Sequence, residues 1–556
     1  MNCVGARYDF DTDDGKAVIL LNLRFYISHL SSLQYNSPVF KQTKVILPLS
    51  LLIAGIFAFF EKGDYLFSFL PAALILFIGI SALYKLWDWA GKPRSLLWML
   101  SLALLLRLVL AVVFYVALPV NGYPDSEQQR AGYVFFDAFR RDTQAWDLAS
   151  SDQPLIRAFS KDYSTDQYGG LLAFSAGVYR FLSPDVHRPL LIALIGALVA
   201  TLGIPFFWQA AKELGGEKLA IPATAIFAFY PESILVASSQ MREPFLITFV
   251  AVALWSLIAW LQNHQNRAAQ LGMGVALIGM LMVSPAMAVV TLLFLGVFAL
   301  LQSEDTKLSP KTITIFAIVL ILSLFLLSSA LGQTKISANN PFGVIIEWTQ
   351  RAILWDVYQL ERGSGWVQKL FNEMPQALHL PFVAGYGMAQ PVLPAAFVEP
   401  TTETWHYLAI FRALGWYALV PLLLYGLFTL PKANSALERR VWTWFGLGSW
   451  SWIIFTALRA GGDQWDNPRY RVIFIAIQAL FAAWAWTQHR EQKNAWLPRI
   501  LTVEVIFLAF FTHWYASRYY VRFGTLSFGA MVVWILGLSA LVVIWGIIQD
   551  RRNRVA

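Results

Sequence analysis

Residues 268–301 read AAQLGMGVALIGMLMVSPAMAVVTLLFLGVFALL. Read as one helix, this run would extend about 50 Å at 1.5 Å per residue, well over the ~30 Å hydrocarbon thickness of a bilayer. Near its middle stands Ser284-Pro285. Proline has no backbone N–H and its ring clashes with the carbonyl four residues back, so the pair predicts a break. Two spans result, 268–283 and 285–301. The choice decides the fold, because one span more or fewer inverts the side on which every later segment lies.

The rest of the chain is of the same kind. Of its 556 residues, 57% are hydrophobic and only 14% are charged, with a mean hydropathy of +0.54. Soluble domains carry roughly 25% charged residues. The apolar residues fall in continuous blocks of span length rather than in alternation, which excludes a β-barrel. The reading is an all-α polytopic membrane protein with 13–14 transmembrane helices. Candidate spans lie near 45–60, 65–87, 96–119, 189–211, 219–238, 244–262, 268–283, 285–301, 311–331, 407–430, 440–458, 472–487, 498–516 and 525–548. With residues 1–44 as a cytoplasmic segment, basic residues such as Lys85, Lys92, Arg94, Lys212, Lys218, Arg267, Arg439, Arg440, Arg490 and Arg499 all fall on the inner side. That is the positive-inside pattern, and it holds past residue 285, in support of the split. The net charge of +8 is therefore read as basic loops facing anionic lipid, with no nucleic acid as partner. The single cysteine, Cys3, excludes an internal disulfide. The N-terminus lacks the basic start of a signal peptide, and 18–30 reads as an amphipathic surface helix.

Two long segments, 120–188 and 332–406, are not spans and fall on the outer side. In the first, Ala131, Val134, Phe135, Ala138 and Phe139 line one helical face and Arg130, Asp137, Arg140 and Arg141 another. In the second, Ile345, Trp348, Ala352 and Trp355 recur at helical spacing. Both patterns suit helices lying in the headgroup plane. HLPFVAGYGMAQPVLPAAFVEP (379–400), rich in Pro and Gly, reads as an irregular loop.

Polar residues gather on the same side: Asp125 and Glu127 after the third span, Glu232, Arg242 and Glu243 around the fifth and sixth, and RAGGDQWDNPRYR (459–471) after the eleventh. Taken singly, each reads equally well as a solvated loop residue or a headgroup anchor. Arg107 is different. It stands in the middle of a span, where an ionised arginine costs about 2.5–3.5 kcal/mol, so it should face the bundle interior with a partner. Arg412 sits one turn inside the tenth span, and Glu504 lies nearer the inner face of the thirteenth.

At these residues the chain resembles a family. FYPESILVASSQMREPFLITFVAVALW (229–255) is similar to a recurring segment of bacterial GT-C membrane glycosyltransferases, which include protein O-mannosyltransferases and aminoarabinose transferases. DNPRYRVIFIAIQALFAAW (466–484) resembles their late PRYR turn, and Asp125 stands where they place an acidic residue beyond the first core span. The likeness covers about 96–487; 45–95 look like two additional spans, and 488–556 like C-terminal helices with a basic tail. Glu243 replaces the family's usual aspartate.

The resemblance implies transfer of a sugar from a polyprenyl-phosphate donor to a hydroxyl or amine of an extracytoplasmic glycan, lipid or protein. The enzyme would sit in the cytoplasmic (inner or plasma) membrane with its active site outside. Asp125, with Glu127 second, would be the base, and Glu243 would orient Arg242 or share a divalent metal with Asp125, Mg²⁺ or Mn²⁺ suiting the oxygen ligands. Arg242, Arg412, Arg469 and Arg471 would hold the leaving lipid phosphate, which the planar guanidinium meets in pairs. Two other readings stand beside this one. A polysaccharide polymerase or ligase would also use lipid-linked sugars, and a lipid-linked-sugar flippase would show repeats and midplane polar residues.

Overall fold

A computed structural model describes residues 38–163, 168–302, 310–331, 340–362, 365–433, 435–520 and 524–555. The expected surface helix at 18–30 and Cys3 lie outside the described residues. Within them the chain is all α, with no strand.

The first three helices are α1 (Pro38–Phe60), α2 (Tyr65–Trp89) and α3 (Arg94–Asn121). Segment 122–188 carries α4 (Phe136–Ser150) and α5 (Gly170–Leu182). Then come α6 (Pro189–Phe229), the short α7 (Pro231–Ala237), α8 (Glu243–Gln262), α9 (Arg267–Val283), α10 (Pro285–Gln302) and α11 (Pro310–Leu331). The second long segment forms α12 (Pro341–Arg362), α13 (Trp366–Glu373), α14 (His379–Ala389) and α15 (Leu393–Val398). The last helices are α16 (Glu403–Thr429), α17 (Ala436–Ala460), α18 (Asp466–Arg471), α19 (Ile475–Gln492), α20 (Trp496–Tyr519) and α21 (Phe528–Val555).

Ten helices among the described residues are long and apolar enough to cross a membrane, and the protein is an integral membrane protein. Each of the fourteen expected spans lies mainly in helix. That at 189–211 falls in α6 and that at 219–238 is divided between α6 and α7; the backbone of α6 leaves helical geometry at Gly215 and Gly216. Gly216 has φ +68°, a conformation that costs an L side chain and suits glycine. The apolar stretches of α9 and α11 are 17 residues long, and α17 is diluted by tryptophan, serine and glycine within its uncharged stretch 441–458. The break at Ser284-Pro285 is present: α9 ends at Val283, Ser284 is extended at φ −162°, ψ 96°, and α10 starts on Pro285.

Three expectations need correction. The fifth span ends at Phe229, because Pro231 opens a separate turn of helix. In the first long segment the helix begins only at Phe136, leaving Ala131 and Val134 outside it, and Arg141 is buried rather than on a polar face. Residues 379–400 are not an irregular loop but the two helices α14 and α15, joined through a cis Gln390-Pro391 bond.

The most buried helices are α6, α8 and the run from α18 through α19, with 78–83% of their apolar windows covered by protein. At the rim, α20 and α21 are only 17% and 11% covered. Arg107 is fully buried, as its depth requires, but its partners are carbonyls: Nη1 donates to Ala103 O (2.9 Å) and Nη2 to Ala228 O (3.1 Å). Ala228 lies in the last turn of α6, where carbonyls lack helical partners, so the cation caps that end.

Candidate functional site

The SSQMREP stretch makes a tight turn at 238–242 and then α8. Arg242 is the N-cap, Glu243 the first helical residue, with Pro244 next. Proline suits the first turn because its missing N–H has no helical acceptor there, and a carboxylate suits it because the helix dipole presents about +0.5 charge. The turn is held from two sides. Arg141 of α4 donates to Gln240 O, and Gln240 Nε2 donates to Pro189 O at 3.2 Å.

Helix α4 is anchored on its inner face by Asp142. Its buried carboxylate accepts from Tyr133 Oη (2.6 Å) and Tyr179 Oη (2.7 Å) and lies 2.9 Å from His187 Nε2. At its C-terminal end Arg180 donates to Leu148 O and Ala149 O. These contacts aim the other face of α4, with Asp137, Arg140 and Arg141, at α8 and α18.

The third wall is α18, the DNPRYR segment. Gly461 ends α17 with φ +47°. Asn467 Nδ2 donates to Gly387 O and Gly461 O, each at 2.9 Å, tying α18 to α14. A Cβ on Gly387 would lie 2.7 Å from Ala457 O and from Gly461 O, so only glycine lets α14 come this close.

Between these walls lies a cavity of about 560 Å³. One end is charged: Asp137, Arg140, Arg141, Arg242, Glu243, Arg459 and Arg469, with Tyr168 and Tyr470. The other is apolar, lined from α10, α11, α12 and α17 by residues including Val289, Leu327, Ile345 and Phe455. Both long segments and both polar turns, 238–243 and 459–471, thus contribute to one chamber.

The charged end has an internal order. Arg469 is 4% exposed and contacts three carboxylates: Asp137 (Nη2–Oδ2 3.2 Å), Asp466 (Nη2–Oδ1 3.2 Å) and Glu243 (Nε–Oε1 3.5 Å). Glu243 is fully buried, and neither of its oxygens has a hydrogen-bond partner among the described residues. Its neighbours are Arg469 and Arg242, the latter at 3.8 Å through Nε. Arg242 is 23% exposed along its side chain and lies 5.8 Å from the Tyr168 ring. Its terminal Nη groups make no hydrogen bond among the described residues, so the fork faces the cavity uncommitted.

The residues singled out from sequence divide accordingly. Arg242, Glu243 and Arg469 meet in the cavity. Asp125 and Glu127 do not: both are exposed, in a loop tied to α16, where Tyr123 Oη lies 2.6 Å from Thr401 Oγ1 and Trp405 Nε1 donates to Gln129 Oε1. Arg412 is outside as well, locked by both its Nε and Nη2 to the Glu232 carboxylate at 2.7 and 3.0 Å, with Gln464 O at 2.8 Å and the Trp465 ring at 4.2 Å. Arg471 lies 3.4 Å over the Trp416 ring and donates to Gln390 O at 2.7 Å, 1% exposed. Arg412 is thus held by protein partners, and Arg471 is enclosed by protein with Nη2 paired and Nε and Nη1 buried without a hydrogen bond among the described residues; neither lines the cavity.

The residues also speak to the expected metal. Asp125 and Glu243 share no cavity, and the space between Glu243 and Asp137 is occupied by the Arg469 cation. No group of three or more His, Cys, Asp or Glu suited to a metal occurs among the described residues. An Asp125–Glu243 metal pair does not fit this arrangement. The sequence pattern puts Asp137 on a polar helical face and Trp348 on an amphipathic stripe, each without a role, and does not single out Tyr168; all three line the cavity. The signal is their position in the two long segments between spans, 120–188 and 332–406.

No family model and no curated protein matches the chain. Among solved structures it is similar to the archaeal oligosaccharyltransferase AglB from Archaeoglobus fulgidus in complex with an inhibitory peptide and a dolichol-phosphate, at 15% identity and a TM-score of 0.37 over 81% of this chain and 55% of that one. It is similar to the apo form of the Archaeoglobus fulgidus oligosaccharyltransferase at 14% identity and a TM-score of 0.37, with the same coverage. The complex of that enzyme with Zn and sulfate aligns at 13% identity and a TM-score of 0.37, over 75% of this chain and 52% of that one. The chain spans about half the length of the solved structures it matches.

Proposed function

We propose that the protein is a membrane glycosyltransferase of GT-C type that moves a sugar from a polyprenyl-phosphate-linked donor to a hydroxyl or amine acceptor outside the cytoplasmic membrane. One observation carries the reading: a single cavity joins an arginine-rich end, with the Arg242 fork uncommitted, to an apolar end among helices of the bundle. A phosphate on an isoprenoid tail has this same division of polarity.

The chemistry follows from the residues. The acceptor oxygen or nitrogen attacks the anomeric carbon as the bond from that carbon to the phosphate oxygen breaks, and its electron pair leaves with the lipid phosphate. Arg242, with Arg140 and Arg459 lining the same cavity, meets the charge that develops on the phosphate oxygens; preformed donors of this kind stabilise a transition state without reorganisation. The acceptor proton goes to Asp137, a cavity carboxylate whose side chain is 56% exposed and so open to an incoming acceptor. Asp137 replaces Asp125 in this role, because Asp125 does not line the cavity.

The test is incubation of purified protein with a panel of polyprenyl-phosphate sugars, scoring release of polyprenyl phosphate. Release by wild type and a raised donor KM in Arg242→Gln are expected. No release from any donor, with no binding of polyprenyl phosphate, defeats the reading.

A further inference from the structure

Arg469 is placed unlike the other cavity arginines. Arg242 offers an uncommitted fork, whereas Arg469 is enclosed by anions from three elements: Asp137 of α4, Glu243 at the start of α8 and Asp466 in its own helix. Its Nη2 lies 3.1 Å from Tyr470 Oη, and its guanidinium stands 5.0 Å from the Tyr470 ring and 5.6 Å from the Phe135 ring. A phosphate approaching that guanidinium would meet the surrounding carboxylates as well as the cation. The geometry suits holding carboxylates better than receiving a phosphate.

We propose that Arg469 is the positioning residue for Asp137: it holds the carboxylate and aims it at the acceptor, and it leaves the lipid phosphate to Arg242. The inference rests on the transferase reading above. Asp137 Oδ2 accepts from Arg469 Nη2 at 3.2 Å. The other charged or titratable groups of this end are Asp466 and Tyr470 from α18, Arg242 and Glu243 from the start of α8, Arg459 from α17, Tyr168, and Arg140 and Arg141 of α4 itself. Of the positive ones, Arg469 is the one with a hydrogen bond to Asp137 among the described residues. Without that cation the three carboxylates of Asp137, Glu243 and Asp466 would lose the positive charge they share, and like charges at close range repel. Glu243 takes a share in the same device. Among the described residues its buried carboxylate makes ion pairs with these two arginines, so it holds Arg469 and Arg242 side by side, one turned to the base and one to the ligand.

The experiment uses the full chain in detergent or bicelles, with Arg469→Gln, Arg469→Lys, Asp466→Asn and, for comparison, Arg242→Gln. Polyprenyl-phosphate binding and the pH dependence of transfer are measured for each. A positioned base is commonly worth about 10² to 10⁴ in rate, so Arg469→Gln is expected to lower kcat by about tenfold or more. Its donor KM and polyprenyl-phosphate affinity should stay within about threefold of wild type, and the acid limb of its rate profile should move to higher pH. Arg469→Lys, which keeps the charge without the fork, should recover part of kcat and most of the profile.

Asp466→Asn removes a competing carboxylate at a half-exposed position and guards against a misfolded Arg469 variant; it should move the acid limb to lower pH. A merely structural Arg469 would change yield and stability without moving that limb. Loss of polyprenyl-phosphate affinity in Arg469→Gln with an unmoved profile overturns the proposal and makes Arg469 a phosphate ligand. So does an unmoved limb in both Asp466→Asn and Arg469→Lys. If wild type neither binds polyprenyl phosphate nor releases it from any donor, the transferase reading fails and this inference with it. Failure in the variants alone leaves that reading standing.

Discussion

Replacing Arg412 by glutamine should unfold this protein more readily rather than weaken its grip on a lipid phosphate. Arg412 and Glu232 are each 2% exposed along the side chain, and both guanidinium contacts are short, 2.7 and 3.0 Å. Arg412→Gln leaves the Glu232 carboxylate buried without its cation. Breaking one side of a buried ion pair costs roughly 3–5 kcal/mol, far more than such a pair adds over an apolar substitute. Loss of the Trp465 ring contact adds about 0.5–2 kcal/mol. The charge-free double variant Glu232→Gln/Arg412→Gln should recover much of this, so the two losses should be strongly non-additive. Unfolding in detergent by heat or denaturant, run on both single variants and the double, reads the coupling, and polyprenyl-phosphate binding is measured on the same samples. Full stability of Arg412→Gln with lost phosphate binding would refute the reasoning and return Arg412 to the ligand site.

Asp137→Asn should reduce transfer by about 10² or more while Asp125→Asn stays near wild type, because only Asp137 lines the cavity; the reverse order of activities would restore Asp125 as the base. Arg242→Lys should keep part of the donor affinity and Arg242→Gln less, measured as donor KM, since lysine lacks the paired donors that meet phosphate oxygens. Asp142→Ala strips two buried tyrosine hydroxyls and His187 of their acceptor. At about 1–3 kcal/mol for each buried group left unpaired, it should destabilise the fold markedly in chemical unfolding, and Tyr179→Phe should do so less. Single cysteines placed in 122–135, 393–402 and 461–465, after removal of Cys3, should all react with an impermeant thiol reagent on whole cells. Labelling of one group without the others would contradict their convergence on one face.

The sequence alone determined the membrane class, the helical positions of all fourteen expected spans and the proline break at 284–285, because these depend on hydrophobic run length and backbone chemistry that each segment carries locally. It also singled out four of the segments that line the cavity, 120–188, 238–243, 332–406 and 459–471, though not the spans that supply its apolar lining. Only the tertiary structure decided which charged residues among them act together. A span's length is a property of its own residues, whereas the environment of a charge belongs to whatever packs against it, often far away in the chain. Arg412 and Glu232, 180 positions apart, enclose one another. Arg469 and Asp137, 332 apart, meet at the cavity mouth. Asp125, an acid at a span end with the right neighbours in sequence, is left exposed on the protein surface by a loop pinned on Thr401 and Trp405. Asp137 and Asp142 lie five residues apart on α4, one in the cavity and one in the core, and only the packing of α4 against α5, the turn before α8 and α18 tells them apart.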